Sequence, residues 1–300
     1  MKTNHIVVLA ALTLLASCKK DIDATAANAI SDTIVAEETH DTVAATSKTI
    51  KGTYDLKQLI DPFIAEKQRI EQQLTTASPD EANKLYDNYI EANRERIAKI
   101  SEKEHNILEN FYTYFYNEGG EATPPDSIQR KVKLLSSAGL ELFEEGEGYV
   151  SISNKPDFYY TIFKKYVTSD YKEFIRINAD EDKILYSADA GISISFKGIS
   201  ERVLNWENFI AKYPKSKFIP DAINSYRSYQ DDYFFGQDNT PAHDDSGNYF
   251  DENITEYKRF VAHNPDSFTT KLAKIALAHT GSRDDLRNII SQEQEKFMGK

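Results

Sequence analysis

Residues 206–216 read WENFIAKYPKS, and residues 257–267 read YKRFVAHNPDS. The two stretches align without a gap at an offset of 51 residues. Trp206 falls on Tyr257, Phe209 on Phe260, Ile210 on Val261 and Ala211 on Ala262. Pro214 falls on Pro265, Ser216 on Ser267 and Ala222 on Ala273. A large aromatic ring and a phenylalanine three residues apart share one helix face. The proline ends that helix, because it has no N–H for the ladder. The serine caps the next helix, and the small alanine lets that helix pack closely against the first. The stretch predicts a helical hairpin, made twice.

The pattern resembles the helix-turn-helix unit of tetratricopeptide-like proteins, including outer-membrane assembly lipoproteins whose repeats read F-x-x-x-x-P-x-S. It covers residues 200–280. A simple array of that kind repeats about every 34 residues. The excess here lies in the loop from Gly236 to Asn253. The resemblance implies an all-α fold with a degenerate, α-solenoid-like C-terminal part. The plainer alternative is two unrelated hairpins that share common cap chemistry.

Working outward, the rest of the chain also reads as helices. Leu56, Leu59, Ile60, Phe63, Ile70 and Leu74 recur at helical spacing, with Pro62 a point for a kink or restart. Ser78-Pro79-Asp80-Glu81 combines an N-cap serine, a first-turn proline and a capping-box glutamate. The helix it opens is expected to run unbroken to Gly119-Gly120, so that residues 54–122 form a long αα-hairpin. Residues 123–300 read as a helical domain. In it, Thr123-Pro124-Pro125-Asp126 opens a helix carrying Ile128, Leu135, Leu140 and Phe143. Gly146 to Asn154 reads as a connector with a short extended piece. Two short helices follow Pro156, broken near Thr168-Ser169-Asp170. Residues 181–213 read as helical overall, with Ser193 to Phe196 open between helix and strand.

The amino-terminal end carries the address. Lys2 is followed by an apolar run over residues 6–16. That run is too short for a membrane-spanning helix, which needs about 20 residues, and has the length of a signal-peptide core. Leu15-Ala16-Ser17-Cys18 then resembles the lipobox of bacterial lipoproteins, in a style similar to those of the Bacteroidota. The resemblance implies a signal peptide over 1–17 and a lipidated Cys18, the only cysteine in the chain. Acyl chains contribute about 0.8 kcal/mol per buried methylene, so two or more give a stable anchor. Lys19-Lys20-Asp21 places no aspartate directly after the cysteine, which favours the outer membrane, on either its periplasmic or its cell-surface face.

Residues 18–53 are rich in Ala, Thr, Asp and Ser and carry no aromatic residue. Such a stretch buries little surface to offset its ordering entropy, so it reads as a lipidated, disordered tether. Asp32-Thr33-Ile34, Asp41-Thr42-Val43 and Asp126-Ser127-Ile128 resemble the O-glycosylation motif of exported Bacteroidota proteins. Thr33, Thr42 and Ser127 are the candidate sugar acceptors. Ser127 also has a capping reason to stand at a helix start.

No catalytic signature stands in the sequence. It holds no H-E-x-x-H, no G-x-S-x-G, no P-loop and no dinucleotide fingerprint. No cofactor and no metal are expected. A net charge of −12 disfavours nucleic acid, whose phosphates need a basic patch. The acidic loop over 236–252, GQDNTPAHDDSGNYFDE, is the candidate binding loop, through Asp238, Asn239, His243, Asp244 and Asp245. It lacks the leading aspartate and closing glutamate of an EF-hand. Aromatic clusters at 111–116, 158–163 and 233–236 suit either a core or a sugar-stacking surface. Three roles remain. The first is a membrane-anchored, non-catalytic binding or scaffold lipoprotein holding an envelope protein or peptide. The second is a surface glycan- or nutrient-binding lipoprotein, as in the much larger SusD-like proteins. The third is an unfamiliar enzyme using the acidic loop.

Overall fold

The computed structural model describes residues 40–298, with side chains from Asp55 to Phe297. The expected signal peptide over 1–17, the expected lipidation at Cys18 and the candidate acceptor Thr33 lie outside these residues. The described chain is mostly helical, with twelve helices and four short antiparallel β ribbons. None of these helices is long and apolar enough to cross a membrane.

Helix α1 spans His40–Leu74 and α2 spans Pro79–Lys103. The first begins ahead of the Tyr54 boundary, so the expected tether is already helical from residue 40, and Thr42 lies in it. Its run through Val43, Ala44 and Ala45 contains good helix formers, alanine above all. Helix α1 passes through Pro62 without ending, because Ile60 and Phe63 on either side are both fully buried. Helix α2 opens as its sequence predicts. The Ser78 N–H donates to Glu81 Oε2 at 2.8 Å, and the Glu81 N–H donates back to Ser78 Oγ at 3.4 Å.

The expected long second helix is three. Helix α2 gives way to α3 at His105–Glu109 and α4 at Phe111–Phe115. The breaks fall at Glu104 and Asn110, whose backbones leave the helical region. Glu104 turns inward and accepts from Lys131 Nζ at 2.7 Å. Asn110 donates its side-chain amide to the Asn106 carbonyl at 2.9 Å, a local bond that competes with the helix ladder.

Strands β1 (Tyr116–Asn117) and β2 (Gly120–Glu121) form the first ribbon, followed by α5 (Asp126–Ser137). Ser127 stands half-buried in the first turn of α5. Leu140 and Phe143, expected in this helix, lie instead in β3 (Leu140–Gly146), paired with β4 (Tyr149–Asn154). Gly139, at φ 80°, stops α5 in the left-handed conformation that glycine tolerates. Helices α6 (Phe158–Phe163) and α7 (Ser169–Glu181) follow as expected.

Residues 181–213 are not helical throughout. A ribbon of β5 (Ser187–Ala188) and β6 (Gly191–Ile192) intervenes before α8 (Phe196–Lys212). Ser195 is neither helix nor strand but the N-cap of α8, accepting from the Gly198 N–H at 3.1 Å. Then come α9 (Ile219–Phe235), β7 (Gly236–Gln237) and β8 (Thr240–Pro241). The chain closes through α10 (Asp251–His263), α11 (Phe268–Ala278) and α12 (Arg283–Met298).

The two aligned stretches are the hairpins α8–α9 and α10–α11, and the backbones of their turns match, although the expected serine cap is made only by Ser267 on α11, while α9 starts after Phe218 without a side-chain cap. The closing residues Tyr213 and Asn264 have φ, ψ of −125°, 54° and −129°, 57°. Ser216 N–H donates to the Tyr213 carbonyl at 2.9 Å, and Ser267 N–H to the Asn264 carbonyl at 3.2 Å. Trp206, Phe209 and Ala222 are buried, as are Tyr257, Phe260 and Ala273. The structure adds a third copy. At an offset of 47 residues, Ile162, Tyr171 and Ile175 take the buried places of Phe209, Phe218 and Ala222. Val167 stands there for Pro214, so the sequence signature is lost. Ribbon, helix, helix therefore recurs three times, beginning at Leu140, Ser187 and Gly236. Helix α7 packs on α8, α8 on α10, and α9 on α11.

The ribbons also touch in succession. Tyr112 and Tyr116 donate to the Glu144 carboxylate in β3. Gly146 sits so close to Ala188 that a side chain would collide with it. Asn239 N–H donates to the Ala190 carbonyl at 2.8 Å, and Ile192 N–H to Thr240 Oγ1 at 2.9 Å.

Candidate functional site

A cleft of about 380 Å³ opens where ribbon β3–β4 faces the start of the next unit. Its floor is built around Arg202. That residue lies on the apolar stripe of α8, between the buried Ile199, Val203 and Trp206, and is only 9% exposed. Its Nη1 donates to the Tyr229 hydroxyl at 2.9 Å, and Nη2 to the Glu181 carbonyl at 3.0 Å. Its guanidinium lies 5.0 Å from the centre of the Tyr186 ring and 5.5 Å from that of Tyr229, within the range of cation–π attraction.

Glu181, at the end of α7, completes the floor. It accepts from Trp206 Nε1 and from the Tyr229 hydroxyl, both at 2.9 Å. Burial pushes its carboxyl up from the ordinary range, against those bonds and Arg202. Glu141 from β3 is also pushed up by burial, opposed by Lys155, while Asp182 stands exposed on the rim. Tyr186 is pushed up strongly by burial, and its hydroxyl donates to Asp232 Oδ2 at 2.8 Å. The side-chain amide nitrogen of Asn154 is buried beside the cleft with no partner in the chain. Above this polar floor stand Phe143, Pro156, Ile184 and Leu185. Ile184 is 56% exposed, so the lip is apolar and open.

The acidic loop has a different structure. Asp238 and Asn239 form the exposed turn between β7 and β8, and Asn239 bonds back to the β5–β6 turn. Asp244 spends its carboxylate on its own loop, accepting from the backbone N–H groups of Ser246 and Asn248, both at 2.9 Å. Those bonds hold its carboxyl below the usual range. Asp245 points to solvent. His243 turns inward, 3.9 Å from the Tyr249 ring. The loop does not gather the five residues into one site. Among the described residues, no group of three or more His, Cys, Asp or Glu side chains is arranged to hold a metal ion. Two of the aromatic clusters are core: Phe158, Phe163, Tyr233, Phe234 and Phe235 are all buried, whereas at 111–116 Phe111 is buried and Tyr112 stays exposed.

The cleft residues span positions 141–229 and form no local motif. One signal was available: Arg202 stands at core spacing within an apolar helix face. No family model, no curated protein and no solved structure matches this chain.

Proposed function

We propose that this chain is a membrane-anchored helical lipoprotein of the bacterial cell envelope. It acts without catalysis, as a binding or scaffold protein that holds a segment of an envelope protein or peptide. The cleft carries this reading. Its floor is locked in place by hydrogen bonds before any ligand arrives, and its lip is apolar. Pre-organised clefts with an apolar surround and few polar anchors are the common form of binding sites. The lipobox at Leu15 to Cys18 supports the anchor and an outer-membrane address. The recurring helix pairs support a degenerate tetratricopeptide-like, solenoid-like organisation, an architecture that presents extended binding surfaces.

The test is a crosslinking pull-down of the tagged lipoprotein from native membranes, read by mass spectrometry beside a lipid-anchored control. One dominant envelope protein, lost in an Arg202→Ala variant that stays folded, is the expected result. No enrichment above the control overturns the scaffold role. A glycan- or nutrient-binding role is the second reading, favoured by Tyr149, which stands 69% exposed at the tip of β3–β4. It predicts glycan-dependent thermal stabilisation that Tyr149→Ala abolishes.

A further inference from the structure

The chemistry of the cleft names the group it takes, and this step rests on the binding role above. The charged side chains lining it are Glu141, Glu181 and Asp182 against Arg202 alone. Arg202 is already committed to Tyr229 and to the Glu181 carbonyl. Glu181 is likewise committed, to Trp206 and Tyr229. That leaves Asp182, at the end of α7, and Glu141, in β3, as lining carboxylates that make no ion pair among the described residues. Burial disfavours the charge of Glu141 and Glu181. The lip of Phe143, Pro156 and Ile184 is apolar.

We propose that the cleft takes the basic side chain of an extended segment of a protein partner. Its ammonium or guanidinium lies between Asp182 and Glu141, and its methylene stem lies against the apolar lip. Each part of such a ligand meets its complement. A long basic side chain carries an apolar stem and a charged head, and the cleft offers an apolar lip over an acidic floor.

The protein holds its own reporter. Trp206 is the only tryptophan, and its indole N–H is bonded to Glu181 in the floor. The probes are three pentapeptides with leucine flanks and, at the centre, lysine, Nε-acetyllysine or glutamate. They are titrated into the full chain while Trp206 emission is followed. The lysine peptide is expected to give a saturable change, and the other two to bind at least about tenfold more weakly. Asp182→Asn and Glu141→Gln are each expected to weaken the lysine peptide by about threefold or more, and added salt weakens it further. Asp182 is exposed, so its variant is expected to melt like the wild type, and the acetyllysine arm needs no variant.

Equal binding of the lysine and acetyllysine peptides overturns the proposal. So does indifference to both variants, or no response to the lysine peptide up to about 10 mM. A pull-down that finds a partner while the lysine peptide fails removes this inference and leaves the scaffold role. A lysine-selective cleft with no partner enriched sustains this inference and removes the scaffold role.

Discussion

His243 is 6% exposed, packed on Tyr249, and its Nδ1 has no partner in the chain. Burial lowers its pKa to about 4, helped by Arg283 and Arg287 and opposed by Asp244. The ring is therefore neutral in the folded protein when it would already be charged in the unfolded chain. Between its ordinary value of 6.5 and about 4, the unfolded state takes up a proton that the folded state refuses. Stability is full above that window and falls as the pH drops through it, by roughly 3 kcal/mol in all. His243→Phe keeps a ring against Tyr249 and removes the titration. Urea melts of the two proteins at several pH values through the window are expected to show a flatter slope for the variant; parallel slopes would refute the assignment. In the sequence this histidine stood among acids and read as part of a binding loop. Its burial depends on Tyr249 and Phe235 closing over it from both sides, which no local pattern announces.

Two elements depend on single residues outside or at the edge of themselves. Helix α11 is capped by Glu207, which lies a full hairpin away on α8. Its carboxylate accepts from the Phe268 N–H at 2.8 Å, from Thr269 Oγ1 at 2.8 Å and from Ser267 Oγ at 2.9 Å. It also takes the Tyr226 hydroxyl at 2.7 Å. Glu207→Leu strands these donors and is expected to cost about 3 kcal/mol in a denaturant melt. A loss below about 1 kcal/mol would mean that Ser267 caps the helix unaided. The sequence showed Ser267 as the cap. Glu207 was hidden because it acts across 60 residues of chain. The ribbon after α9 turns on Gly236, at φ 66°. A side chain there would meet the Thr240 carbonyl and, at 2.6 Å, the Ala242 nitrogen. Gly236→Ala adds strain at positive φ to that collision and is expected to lower stability by at least about 2 kcal/mol. A melting temperature equal to the wild type would show that the ribbon can rearrange.

Across the whole molecule, one hydrophobic core runs from α1 through α12, taking in Leu56 and Ile290 alike. The helix pairs therefore share a core rather than folding as separate domains. Thermal unfolding followed by circular dichroism and by Trp206 emission is expected to give coincident single transitions; two separated transitions would divide the stack. Cys18→Ser bears on the intact chain. It is expected to move the protein from the membrane fraction to the soluble one, and a variant that stays with membranes would exclude the lipid anchor.

The sequence by itself determined the helical character, the capping box at Ser78 and Glu81, and the paired hairpins at 206 and 257. These signals are local: a proline, a serine cap or a helical period acts on residues within a turn or two. Only the tertiary structure decided the third unit at Leu140, the ribbons between helix pairs, and the cleft. In the third unit Ile175 is buried at the place of Ala222 and Val167 stands where Pro214 does, so the buried position is kept while residue type is not. The cleft forms because stacking one unit on the next brings Glu141, Glu181, Arg202 and Tyr229 onto one floor, and proximity of that kind is set by packing rather than by spacing along the chain.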